Sequence, residues 1–221
     1  SRFGDGRAVL RSSIREFLGS EAMHSLGIAS TRALALVGSS ERVYRETIEP
    51  GAALLRVTPS HIRFGHFEWL AYSQQDTQMA TLVDFVIRHH FPQCADADDP
   101  VVALYERVVT RTATMIAGWQ AYGFVHGVMN TDNMSILGET FDYGPYAFLD
   151  NTKMHAVFNH TDETGRYAFN QQPAVGQWNL QRLAQALSIL TTPETLAKTR
   201  RYVSGSVKPK PLFHLHVGGM A

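Results

Sequence analysis

The sequence predicts an α+β protein whose first third carries strands and whose remainder is helical. Two observations carry this prediction. Short apolar runs at 30–37 and 52–58 have strand length and are bounded by turn residues. From residue 76 onward the apolar positions recur every three or four residues, the period of an amphipathic helix. No internal repeat interrupts this order, which argues against a solenoid, and segregated strands and helices point to α+β.

Each element follows from local chemistry. Ser12 and Ser13 can cap a helix with an apolar stripe of Ile14, Phe17, Leu18, Ala22 and Leu26, stopped near Gly27. Glu16 lies off that stripe. The two strand candidates are separated by residues 42–46 and a Pro50-Gly51 turn. A helix is expected over 76–90 through Met79, Leu82, Val83 and Val86. A longer one follows Asp98-Asp99-Pro100, with apolar positions 101, 104, 105, 108, 109, 112, 116 and 119, and another runs over about 175–190 through Leu180, Leu183, Ala184 and Leu187. Trp119, Phe148 and Trp178 are assigned to the core.

With 221 residues, the chain can bury one substantial core or two small ones. Lys+Arg and Asp+Glu both total 20, so there is no basic excess to attract a polyanion, and nucleic acid is not an expected partner. The apolar runs are too short for a membrane span or a secretory core, so no membrane partner is expected. Cys94 is the only cysteine, which excludes an internal disulfide, argues against a thiolate zinc site and suggests a reducing, cytoplasmic setting. The ends look incomplete: residue 1 is Ser, and a Gly-Asp-Gly turn at 4–6 has almost nothing before it. Residues 203–211 have no periodicity and 212–221 are apolar without a period. A truncated start is expected, with a tail that is out of frame, mispredicted or flexible.

Chemistry concentrates in residues 123–151. A long helix ends at Gly123, and a polar loop follows with His126, Asn130, Asp132 and Asn133. Next come a short apolar run at 134–137 and Asp142-Tyr143-Gly144. This is the layout of a kinase catalytic loop followed by a metal-binding Asp-Phe-Gly segment. Asn133 stands seven positions after His126, as in that loop, but Val128 occupies the usual place of the catalytic Asp. The nearest carboxylate is Asp132. Mg²⁺ bound to a triphosphate prefers hard oxygen ligands, which Asn133 and Asp142 could supply from opposite sides of a hairpin-like turn. Asp132 could then take a proton from an attacking hydroxyl. His126 reads equally as a loop brace. His89-His90 and His214/His216 lack accompanying carboxylates or thiols and read as surface.

Several segments together resemble the selenoprotein O (SelO) family. They are residues 1–12, Glu21-Ala22-Met23-His24, Arg63-Phe64-Gly65-His66-Phe67-Glu68, the His126–Ser135 loop, Asp142-Tyr143-Gly144-Pro145, and 170–180 from Asn170 to Leu180. The resemblance covers roughly residues 1–190. It implies a protein-kinase-like fold that transfers AMP from ATP to Ser, Thr or Tyr hydroxyls of proteins, with ATP reversed so that its α-phosphate faces the nucleophile. ATP and protein substrates are the implied partners, and Mg²⁺ or Mn²⁺ the implied cofactor. By the same resemblance, Asp132 is the proton acceptor, Asn133 and Asp142 are metal ligands, and Asp5 and Gly6 contact the nucleotide. Arg56 and Arg63 grip its phosphates, which suits the planar guanidinium fork. Glu16 is the helix glutamate that pairs with a nucleotide-binding lysine.

The implied organisation is a partial N-lobe at 1–75, a C-lobe core with the catalytic loop at 76–203, and an irregular tail at 204–221. The glycine-rich loop and the lysine strand of the family are not in this sequence, so Glu16 has no lysine partner in it. One face of the sheet and of helix 12–26 is therefore expected to be partly uncovered, and this polypeptide is expected to bind Mg-ATP weakly or not at all and to transfer nothing measurable. Glu139 stands where an apolar residue is expected, which suggests a local packing defect. A conventional kinase-like phosphotransferase and an inactive nucleotide- or protein-binding remnant are the alternative functions.

Overall fold

The computed structural model describes residues 6–191. A short strand β1 (Ala8–Val9) leads directly into helix α1 (Leu10–Ser25), followed by a long hairpin of β2 (Arg32–Tyr44) and β3 (Ile48–Val57). The helical part comprises α2 (Phe64–Tyr72), α3 (Asp76–His90), α4 (Pro100–Ala121) and α5 (Gln172–Leu187). Between α4 and α5 the chain forms only a two-residue ladder, β4 (Phe124–Val125) with β5 (Ala147–Phe148), and 3-10 turns at Thr131–Asn133 and Phe169–Gln171. The architecture is α+β. Among the described residues, no helix is long and apolar enough to cross a membrane.

The first sheet is antiparallel, in the order β1-β3-β2. Its chain reversal lies at Arg45–Thr47, where the Arg45 N–H donates to the Thr47 carbonyl, and not at Pro50-Gly51. Pro50 and Gly51 lie within β3, Pro50 opposite Arg42 and Gly51 opposite Val9, beside a register shift between Gly38 and Arg42. An irregular ladder accommodates a residue without an N–H, and a Cβ at Gly51 would crowd the Glu41 carbonyl at 3.3 Å. Helix α1 packs against the hairpin. Leu34 and Leu55 are 67% and 56% exposed, so apolar side chains of this sheet remain uncovered by the described residues.

Helix α1 departs from expectation at both its start and its face. It begins at Leu10 rather than at a serine cap, and Val9 in the N-cap position makes no side-chain bond to the first turn. Its buried residues are Ser13, Gly19, Ser20 and Met23, while Ile14 and Leu18 are exposed. Gly27, at φ +75, ends it as expected.

The helical core is built as the periodicity predicts. The Asp99 carboxylate accepts from the N–H groups of Val101 and Val102, and Pro100 needs no donor partner at the first position. Leu104, Tyr105, Val108, Met115 and Trp119 then form the buried face of α4. Helix α5 starts at Gln172, three residues earlier than the apolar pattern indicates, and it packs against α2 and α4. Trp178 is not core: it is 42% exposed, with the Arg166 guanidinium 4.6 Å from its ring centroid and that of Arg182 at 5.8 Å. A large ring with cations beside it is tolerated at a surface.

Candidate active site

The loop after α4 is buried although it has almost no secondary structure, so its backbone polar groups need partners from elsewhere. Gly123, at φ +65, turns the chain out of α4 into β4. His126 is 1% exposed. Its Nδ1 lies 3.3 Å from the Val128 N–H, which donates to it, and Nε2 donates to the Phe141 carbonyl at 2.9 Å. The ring stacks on Trp119 at a centroid distance of 5.2 Å, and Trp119 Nε1 in turn donates to Thr140 Oγ1. Burial lowers the His126 pKa and keeps the imidazole neutral, opposed only in part by the Phe141 hydrogen bond and by Asp142. Of the two readings of His126, the geometry is that of a brace.

Asp132 and Asn133 lie on the 3-10 turn that follows. The segment before α2 runs beside them: the Ile136 N–H donates to the Ile62 carbonyl, the Phe64 N–H donates to the Met134 carbonyl, and Arg63 bridges to Ser135. The expected hairpin between 134–137 and Asp142 does not form. Residues 134–136 pair with 62–64, and Thr140 pairs with Ser30. Asp132 sits over the first turn of α2, where a Cβ at Gly65 would overlap its Oδ1. Asn133 Nδ2 donates to the Val128 carbonyl at 2.9 Å, which leaves the amide oxygen as its remaining donor atom toward a cation.

Asp142 adopts the left-handed conformation, φ +60, which Asp tolerates better than most residues with a Cβ. Two arginines face its carboxylate. Arg63 Nη1 is 3.1 Å from Oδ2 and also donates to the Asp132 carbonyl oxygen at 2.9 Å, while Arg56 Nη1 is 3.8 Å from Oδ1. The Arg63–Oδ2 approach is not aligned as a hydrogen bond, and Oδ2 is shielded from solvent without any hydrogen-bonded donor. A sheltered carboxylate oxygen lacking a donor, joined through Arg63 to the turn that carries Asn133, fits a small hard cation such as Mg²⁺ or Mn²⁺, which takes one or two protein oxygens and completes its shell with phosphate and water. Among the described residues there is no group of three or more His, Cys, Asp or Glu side chains able to hold a metal by themselves.

Glu16 forms an ion pair with Arg56, so the helix glutamate has an arginine partner. Burial lowers the Arg56 pKa, and Asp142 works against that shift. The structure therefore brings Glu16, Arg56, Arg63, Asp132, Asn133 and Asp142 into one region. Gly6 is exposed, at φ +70, just before β1, and Asp5 lies outside the described residues. His214 and His216 also lie outside them.

Sequence reasoning missed the contacts that lock this region. Tyr143, the residue after Asp142, hydrogen-bonds through its hydroxyl to Ser30 Oγ, and burial pushes its pKa up. Tyr146 donates its hydroxyl to the Arg15 carbonyl at 2.8 Å, and Arg15 Nη2 donates to the Tyr146 carbonyl at 2.7 Å. Glu139 creates no packing defect. It is half-buried, its Oε2 accepts from Thr58 Oγ1 at 2.6 Å, and burial raises its pKa. It lines a cavity of about 760 Å³ together with Leu26, Ile28, Met115 and Leu137, whose lining includes none of the site residues.

Comparison with known proteins bears on this geometry. The family model described as "Protein adenylyltransferase SelO" matches residues 1–206. A protein of Chromohalobacter salexigens named "Protein nucleotidyltransferase YdiU" is 61% identical over 196 residues, covering 89% of this chain and 40% of its own length. Proteins of the same name from Aeromonas hydrophila and Klebsiella pneumoniae are 61% and 60% identical, covering 90% and 89% of this chain and 41% of their own length in each case. The chain thus spans about two fifths of the length of these relatives.

Proposed function

The chain belongs to the SelO family of nucleotidyltransferases, and we propose that its site moves AMP from a metal–ATP complex onto a Ser, Thr or Tyr hydroxyl of a protein. The observation that carries this reading is the Asp142 carboxylate facing Arg56 and Arg63 beside the Asp132–Asn133 turn. One region thus holds an acid for a metal, cations for phosphates and a second acid for a proton.

In this reading Asp142 and Asn133 hold the divalent cation, which when bound neutralises phosphate oxygens. Arg63 and Arg56 turn from Asp142 toward the triphosphate, where their forks meet phosphate oxygens directly. Asp132 accepts the hydroxyl proton as that oxygen bonds to the α-phosphorus. The bond from the α-phosphorus to the bridging oxygen breaks, and pyrophosphate leaves with that electron pair. Glu16 holds Arg56 at a fixed distance from helix α1. The kinase-like two-lobe organisation, with a division near residue 75, belongs to the same proposal, as does a cytoplasmic setting.

The test compares α-labelled with γ-labelled ATP. It uses this chain and a chimera in which the Chromohalobacter relative supplies the flanking three fifths. Label transferred to protein from the α position alone supports adenylylation. Label from the γ position alone would replace it with phosphotransfer, and label from neither by the chimera would leave a nucleotide- or protein-binding remnant.

A further inference from the structure

Helix α5 carries two fully buried amide side chains seven positions apart, Gln172 and Asn179, on a face whose other buried residues, among them Val175, Leu180 and Leu183, are all apolar. Buried amides are costly unless hydrogen-bonded. Both spend their bonds on the backbone of the loop after α4. Gln172 Oε1 accepts from the His126 N–H at 2.9 Å while its Nε2 donates to the Phe124 carbonyl at 2.9 Å. One side chain thus pairs with the chain as a neighbouring strand would. Asn179 Nδ2 donates to the Met129 carbonyl at 2.8 Å. Asn159 Nδ2 adds a third bond, to the Gly127 carbonyl at 3.1 Å.

We propose that Gln172 and Asn179 are positioning residues that set Asp132 and Asn133 against Asp142. Two routes lead from α5 to the two halves of the site. Asn179 fixes Met129, three residues before Asp132. Gln172 fixes His126, whose Nε2 donates to the carbonyl of Phe141, the residue before Asp142. The loop cannot shift relative to Asp142 without breaking a bond to α5 or to His126. The inference rests on the proposed reaction for its catalytic meaning, but the splint itself is independent of that reaction.

The experiment measures backbone amide hydrogen exchange in this chain and steady-state AMP transfer in the chimera. Gln172→Met, similar in length but without polar atoms, is expected to raise exchange at the His126 amide about tenfold, the loss of one net hydrogen bond. Gln172→Glu, whose carboxyl burial keeps protonated, retains an acceptor for the His126 N–H and an O–H donor for the Phe124 carbonyl, and is expected to leave that amide protected. Asn179→Leu tests the second contact, with faster exchange at the Asn133 and Met134 amides, which donate to the Asn130 and Thr131 carbonyls. Asn179 Oδ1 has no hydrogen-bond partner, so this substitution also removes an unsatisfied acceptor, which limits its cost to stability. In the chimera both apolar variants are expected to lower kcat and to raise KM for ATP, because Asp132 takes the proton while Asn133 and Asp142 hold the cation. Unchanged His126 exchange in Gln172→Met would overturn the splint, as would an equal loss of protection throughout α5. If the unsubstituted chimera transfers no AMP, the proposed reaction fails while the exchange data still decide the splint.

Discussion

Replacing Arg63 with glutamine is expected to move two affinities in opposite directions. In the ligand-free chain, the guanidinium of Arg63 lies 3.1 Å from Asp142 Oδ2, with the two side chains 32% and 30% exposed. Arg56 stands farther off, at 3.8 Å from Oδ1. A cation entering the site must compete with these arginines for the same carboxylate. A partly exposed pair contributes about 1 kcal/mol after screening and side-chain ordering. Removing Arg63 therefore strengthens binding of a divalent cation alone about fivefold, because one competitor has gone.

The effect reverses when a triphosphate is present. Its oxygens accept the arginine side chains, and charge-assisted bonds of this kind contribute about 1.5–3 kcal/mol. Arg63→Gln should then weaken binding of cation plus ATP by about tenfold or more. The assay is electron paramagnetic resonance of free Mn²⁺, titrated into the chimera and its Arg63→Gln variant with and without ATP. Both affinities falling together would mean that Arg63 only supports the fold of the loop. An unchanged affinity for Mn²⁺ alone would mean that Asp142 is not the carboxylate the cation uses.

Four further outcomes follow from the geometry, and the three that read nucleotide binding or transfer are measured in the chimera. Asp142→Ala should abolish metal-dependent ATP binding, and an unchanged Mg-ATP affinity by calorimetry would sink its assignment as a ligand. Asp132→Ala should reduce AMP transfer by about 10²–10⁴-fold with ATP affinity retained, and an equal loss of affinity would make it a metal ligand instead. Gly65→Ala places a methyl group where Asp132 Oδ1 now lies, so kcat should fall while the melting temperature changes little; full activity would show that the Asp132 carboxylate need not rest on α2. The raised pKa of Glu139 means that its ionisation costs stability as pH rises from the ordinary carboxyl range through the folded value. Glu139→Gln should accordingly melt above the parent at neutral pH, with the gap closing as pH falls toward about 4.5, and a gap independent of pH would exclude that cost.

Legibility in the sequence followed the distance over which each feature is decided. Helix α4 was readable because its cap, Asp99-Pro100, and its apolar face are both local. The assignments of Asp132, Asn133 and Asp142 rest on spacing within one short segment, and the structure brings these residues into one region. Arg56, Arg63 and Glu16 came only through the family resemblance, since a lone arginine or glutamate carries no local signal. Gln172, Asn159 and Asn179 were not assigned roles because their partners are 46, 32 and 50 positions away. A signal was nevertheless present: two amides two helical turns apart on an apolar face need buried partners. Pro50-Gly51 misled for the opposite reason, since a local turn signature was absorbed by an irregular ladder whose register β1 and β2 set jointly.

Helix α1 shows most clearly how the features that hide an element from sequence reading also build the site. Apart from Met23, its buried face consists of the small residues Ser13, Gly19 and Ser20, which apolar periodicity does not mark. Small residues are what this face requires, because a Cβ at Gly19 would come within 2.8 Å of the Tyr146 ring and 3.0 Å of that of Tyr143. With glycine there, both rings lie against the helix backbone. Arg15 and Tyr146 exchange hydrogen bonds, and the guanidinium stands 4.7 Å from the ring centroid. The segment carrying Asp142 is thereby fastened to α1 just before Glu16, the residue that pairs with Arg56. Arg56 in turn faces Asp142, which closes a circuit from helix to arginine to carboxylate and back to the helix. A sliding α1 would have to drag Arg56 and Asp142 with it or break this circuit. The helix's small-residue face therefore sets the distance between the glutamate and the segment that carries Asp142, a constraint that larger apolar residues at Gly19 and Ser20 would destroy.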